Sequence, residues 1–180
     1  MRKSAIILQI LAVFLLGCEP DTKPNNHTSF EISFQVRAKQ EDKKIFKNGI
    51  IPWISIERPE SELARLIDPD EIVIKKNKVI LVVDYPLKKT VEFELSSDSG
   101  FTRAMLIKAI SKKYKYIYKK EQETTKIKII PIEKRKRLIN RNTTDGIYGV
   151  WGHDIGDLVL SGIQVIEKNG KIYLNLLVES

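Results

Sequence analysis

The chain is poor in the residues that carry most metal and nucleophilic chemistry. It holds one cysteine, Cys18, and two histidines, His27 and His153, in 180 residues. A single thiol excludes an internal disulfide framework and a zinc site built on cysteines. Two histidines leave little for a histidine-rich metal centre, so neither a metal nor a cofactor is expected. Serines are present, Ser161 among them, but no Gly-x-Ser-x-Gly elbow and no glycine-rich phosphate loop occurs. Long apolar runs are also scarce, which excludes a multi-span membrane protein. The remaining composition, 42% hydrophobic and 30% charged, is that of a soluble globular chain rather than a fibrous or disordered one. Its length suits one domain.

The one extended apolar stretch runs from Ala5 to Gly17, with Gln9 its only polar side chain, behind the positive pair Arg2 and Lys3. Thirteen residues of helix span about 20 Å, short of the roughly 30 Å hydrocarbon core. The stretch therefore reads as the apolar part of an export signal, not as a membrane span. It ends in Leu15-Leu16-Gly17-Cys18, which resembles the lipobox of bacterial lipoproteins. Leu15 and Gly17 match the usual pattern, whereas Leu16 stands where Ala or Ser is commoner. The resemblance implies removal of residues 1–17, a diacylglyceryl group on Cys18, and partnership with a lipid bilayer through that group. Several acyl chains anchor stably where one is marginal, since each buried CH2 adds about 0.8 kcal/mol. Glu19 occupies the place where Asp favours inner-membrane retention in enteric-type lipoproteins. The resemblance thus favours the outer membrane in a Gram-negative cell. Residues 18–28 contain two prolines, several turn formers and no large apolar side chain, and read as a flexible tether.

Residues 29–180 read as a single α+β domain, a mainly antiparallel sheet packed against one long amphipathic helix. Phe30 to Val36 alternates with period two, as a half-buried strand does. Ile50 to Ile56 reads as a second strand, held to an edge or a late start by Pro52. Pro59 to Leu66 suits a short helix. Glu71–Lys75 and Lys78–Asp84 suggest a hairpin around Lys76-Asn77. Val79 to Val83 is apolar on both faces and belongs in the sheet centre. Val91, Phe93 and Leu95 alternate with two glutamates. From about Arg103 to Gln122 the period becomes helical, with Thr102 as N-cap and Leu106, Ile107, Ile110, Tyr114, Ile117 and Tyr118 on one face. Ile127, Ile129 and Pro131 suggest a short strand. Asn169-Gly170, set between two strand-like runs, predicts a terminal hairpin.

Charge is uneven. Residues 103–141 carry 14 basic and 3 acidic side chains, against 13 and 15 over residues 18–102. Such a block suits an anionic glycan, an anionic lipid surface or nucleic acid. Nucleic acid is not expected for an exported chain. Lys112, Lys115 and Lys119 are binding candidates, and equally they fit the solvated face of the helix.

One stretch has the density of a site. Residues 146–157 hold four of the nine glycines, together with Tyr148, Trp151, His153, Asp154 and Asp157. Tyr148 and Trp151 are candidate binding residues. A general acid–base reading makes His153 the proton carrier, oriented by Asp154 or Asp157, with Asp145 nearby. A metal reading uses the same three side chains as ligands. The His-Asp pair is also found in metal-dependent phosphohydrolases of the HD type, but these need further ligands on separate helices, which the chain lacks. The structural alternative packs the aromatics in the core and uses the glycines for tight turns. The expectation is an envelope lipoprotein serving as a binding or structural module, with an envelope protein or an anionic glycan as partner. The alternative is a small hydrolase or metal-dependent enzyme at His153, Asp154 and Asp157.

Overall fold

The computed structural model describes residues 29–136 and 140–180. Cys18, His27 and the signal and tether segments lie outside the described residues.

The alternation at the start of the domain forms β1 (Ser29–Ser33), with Phe30 exposed and Ile32 buried. Phe34 and Val36 continue the buried set. The expected strand over 50–56 is instead two short ones, β3 (Ile50–Ile51) and β4 (Ile54–Ser55), parted at Pro52. Proline has no N–H to give to a ladder. The first of these pairs with β2 (Val36–Arg37), the second with β9 (Val159–Lys168). Two 3-10 turns, Pro59–Ser61 and Leu63–Arg65, stand where a short helix was expected.

The main sheet has six strands in the order β1, β9, β10 (Lys171–Glu179), β6 (Lys78–Val83) and β7 (Val91–Ser96), with β4 also on β9. Its neighbours are antiparallel except β10 and β6, which run parallel over Tyr173–Asn175 and Ile80–Val82. The apolar run at 79–83 is central, as its sequence implies. Val79, Leu81 and Val83 are buried, and Ile80 and Val82 half-buried. The hairpin expected around Lys76-Asn77 does not form. Both edges of β6 are occupied, and β5 (Ile72–Ile74) pairs with β8 (Phe101–Thr102) in a separate ribbon.

α1 (Arg103–Thr124) begins where Thr102 Oγ1 accepts from the Met105 N–H at 3.2 Å. Leu106, Ile107, Ile110, Tyr114 and Ile117 are fully buried against the sheet, in one core that reaches from Ile32 to Leu176. Each such burial is worth about 1.5–3 kcal/mol. Lys108, Lys112, Lys115 and Lys119 face solvent. Residues 126–131 make no strand; their backbone is held by side chains of the following loop. The terminal hairpin turns on Asn169 (φ 53°) and Gly170 (φ 73°), the left-handed pair that a two-residue type I′ turn requires. Among the described residues no helix is long and apolar enough to cross a membrane.

Candidate functional site

The glycine-rich loop closes on a residue from the helix. Glu121 lies on the buried stripe of α1, four residues after Ile117, and is fully buried. Its carboxylate accepts from Thr144 Oγ1 (2.6 Å) and from the backbone N–H groups of Gly146 (2.8 Å), Tyr148 (2.9 Å), Gly149 (3.1 Å) and Val150 (3.4 Å). Burial alone raises a carboxyl pKa, but these donors outweigh it and hold Glu121 below its ordinary range. A carboxylate near a helix C-terminus opposes the helix dipole, so the converging amides also supply the positive end that the position lacks.

Two glycines follow directly from this closure. A Cβ on Gly146 would meet Glu121 Cδ at 2.6 Å and Thr124 Oγ1 at 2.7 Å. Gly149 has φ +68°, a left-handed angle that a side chain strains. The far side of the loop is fastened as well. The Lys88 and Lys89 N–H groups donate to Tyr148 O at 3.2 Å, and the Trp151 N–H donates to Pro86 O at 3.0 Å. Half-buried Tyr148 and Trp151 thus belong to a clamped segment.

The structure parts the candidate dyad. The His153 ring lies 5.6 Å from Tyr85 and 5.7 Å from Trp151, centroid to centroid, and its Nε2 is 3.3 Å from Ser180 Oγ. Tyr85 and Trp151 meet edge to face at 5.0 Å. Tyr118 Oη donates to the His153 carbonyl at 2.8 Å, and burial pushes that phenol's pKa up. Asp154 turns the other way, its carboxylate 2.7 Å from Arg135 Nη2. The Asp157 carboxylate accepts from the Asp154 N–H at 2.9 Å and stiffens a single 3-10 turn. Asp145 reaches back to Thr125 Oγ1 and the Lys126 N–H, at 2.7 and 2.9 Å. Ser161 Oγ donates to the Leu177 carbonyl. Among the described residues no three His, Cys, Asp or Glu side chains are placed to hold a metal ion.

Beside the loop lies an open cleft of about 870 Å³, lined by Lys115, Tyr118, Lys119, Arg135, Arg141 and Asp154, among others; His153 is not part of its wall. Lys112 sits elsewhere, on the wall of a separate hollow that Phe101 and Met105 also line. Arg141 is 5% exposed, with its guanidinium carbon 5.1 Å from the centre of the Tyr118 ring. Burial lowers its pKa. The Arg141 N–H donates to Gly152 O at 2.8 Å and fixes the residue at the root of the loop.

Glu121 and Arg141 are the two residues here that the sequence reading missed. The signal for Glu121 was available: a carboxylate on the apolar stripe at the 110, 114, 117, 121 spacing. Arg141 gives no such signal, because it lies within a basic, aperiodic segment. Comparisons with protein-family models, curated proteins and solved structures found no match for the chain.

Proposed function

We propose that the chain is a bacterial cell-envelope lipoprotein anchored through Cys18, and that its domain is a non-catalytic binding module whose partner sits in the cleft beside α1. The anchor rests on the Leu15 to Cys18 lipobox resemblance. One observation of the domain carries the binding reading. The amides and glycines of the 146–150 loop converge on Glu121, an internal anion, while the neighbouring open cleft is lined by four basic residues, four acidic residues and Tyr118. The divergence of His153 from Asp154 favours binding over acid–base chemistry at that pair.

Two experiments test the proposal. Membrane fractionation of Cys18→Ser is expected to move the protein to the soluble fraction. Unchanged fractionation with an unmodified N-terminus refutes the anchor. Co-purification from the native envelope is expected to recover a partner with the wild type and to lose it with Ile132→Arg, a change at an exposed position in the cleft wall. Equal recovery with a folded Ile132→Arg variant refutes the cleft as the binding surface.

A further inference from the structure

We infer that residues 126–136 form a second membrane contact, a basic and aliphatic loop that docks the domain on an anionic lipid surface. The inference rests on the reading of the chain as a lipid-anchored protein. The loop follows the C-terminal end of α1 and reads Lys-Ile-Lys-Ile-Ile-Pro-Ile-Glu-Lys-Arg-Lys. Ile127, Ile130 and Ile132 are 41%, 46% and 55% exposed, three bare aliphatic side chains within one short stretch. Exposed Ile147 joins them. Its N–H donates to Thr124 Oγ1, one residue before the Thr125 hydroxyl that accepts from the Ile127 N–H. Exposed apolar clusters of this kind mark protein or membrane contacts.

The loop shows these side chains while its backbone groups are paired inward. The Lys126 and Ile130 N–H groups donate to Asp145 Oδ1 (2.9 Å) and Asn142 Oδ1 (3.1 Å). The Asn142 amide donates to the Lys128 carbonyl (3.1 Å), and Arg135 Nε donates to the Ile130 carbonyl (2.9 Å). An unmet peptide group is costly at an apolar boundary, so this pairing suits a segment that enters one.

Charge selects the lipid. The segment holds five basic side chains and one acidic one, Glu133, an excess of four, and the Arg135 pair with Asp154 leaves three. Lys126, Lys128, Lys134 and Lys136 are all exposed. The exposed carboxylates nearby are engaged: Glu123 lies 2.7 Å from Lys120 Nζ, and Asp145 is held by Thr125 and the loop amides. Lysine stems lie along apolar surface while the ammonium groups stay at head-group level, and lysine among aliphatic residues is the composition of interfacial segments. Protein interfaces, by contrast, are poor in lysine and rest on Trp, Tyr and Arg. The loop has no aromatic ring to stack on a sugar. The eleven residues 18–28 reach at most about 36–40 Å, and the longest strand, of ten residues, spans about 33 Å, so the anchor leaves either end of the sheet within reach of the bilayer.

The test places Ile130→Cys and, separately, Ile45→Cys in the full-length protein and labels each with a polarity-sensitive fluorophore. Cys18 is the one native cysteine and is lipidated under the anchor reading, so each variant then has a single free thiol. The labelled proteins are reconstituted into vesicles of phosphatidylcholine with and without phosphatidylglycerol. The label at 130 is expected to shift to the blue and gain intensity several-fold on the phosphatidylglycerol vesicles, and to revert in high salt. The label at 45, an exposed isoleucine outside the loop, is expected to stay unchanged. Lys126→Gln and Lys128→Gln, both at exposed positions, are each expected to lower the docked-to-undocked ratio about fivefold, the loss of about 1 kcal/mol per lysine at an anionic surface. Ile127→Cys gives the same reading if Ile130→Cys does not fold. No shift at 130 overturns the inference. So does an equal shift on phosphatidylcholine alone, an equal shift at 45, or a shift that survives both lysine changes. A shift produced only by a vesicle-free fraction of envelope proteins also overturns it and assigns the loop to a protein partner. Uptake of label by the wild type shows Cys18 unlipidated and overturns the anchor alone; the loop is then read in the Cys18→Ser background, where the introduced cysteine is again the only thiol.

Discussion

Glu121→Gln isolates what the glycine-rich loop does. The substitution keeps the side chain's size and replaces one carboxylate oxygen by an amide NH2. Oε1 accepts from Thr144 Oγ1 and from the Gly146 and Val150 N–H groups, and Oε2 accepts from the Tyr148 and Gly149 N–H groups. Either orientation of the amide therefore sets its NH2 against two backbone N–H donors. At about 1–3 kcal/mol for each buried group left without a partner, the variant should lose about 2–6 kcal/mol. That is a large share of the roughly 5–15 kcal/mol that holds a domain together. Urea unfolding followed by circular dichroism measures it.

Acidification supplies a second, independent readout. The Glu121 carboxyl has a lower pKa folded than unfolded. Its contribution is fully present above the unfolded value and is lost as pH falls through the folded one. The gap between wild type and Glu121→Gln should then be widest near neutrality and narrow as pH falls below about 4. A variant within about 0.5 kcal/mol of wild type, the range of a bland surface change, refutes the account of the loop. A gap that does not change with pH refutes the role given to charge.

The remaining predictions concern the helix face and the aromatic cluster. Ile110→Ala, at a fully buried position, should cost about 2–5 kcal/mol, and Lys112→Ala under about 0.5 kcal/mol; equal effects in a denaturant titration would show the facing of α1 to be wrong. His153→Ala removes ring contacts with Tyr85 and Trp151, each worth about 0.5–1.5 kcal/mol, and should lower the melting temperature by several degrees with or without zinc. A fully stable variant, beside a wild type that zinc stabilises, would restore the metal reading.

The legible parts of the fold were those whose determinants are local. The Thr102 cap, the stripe from Leu106 to Ile117 and the Asn169-Gly170 turn each act within a few residues. The β5–β8 ribbon was hidden because β6 finds its partners at β7 and at β10, some ninety residues away, and a parallel partner leaves no trace in neighbouring sequence. Ile127 and Ile129 alternate like a strand, but side chains of Asn142 and Asp145 bond the backbone there. The candidate site was legible as a dense segment and not as a geometry. The sequence shows four glycines, a histidine and carboxylates close together, but not which way successive side chains point. His153 and Asp154 are adjacent and face different neighbours, and the loop's organising residue, Glu121, lies about 25 positions earlier.

The sheet order has a consequence for how the chain acquires its shape. In the main sheet β1 and β4 pair only with β9, β7 pairs only with β6, and β10 joins β6 to β9. The two halves share no ladder until the last hairpin inserts between them. A growing chain therefore holds β6 and β7 as a lone pair, with β1 and β4 unpaired in this sheet, until residues 159–179 arrive, and the late step includes a parallel, long-range pairing of the slow kind.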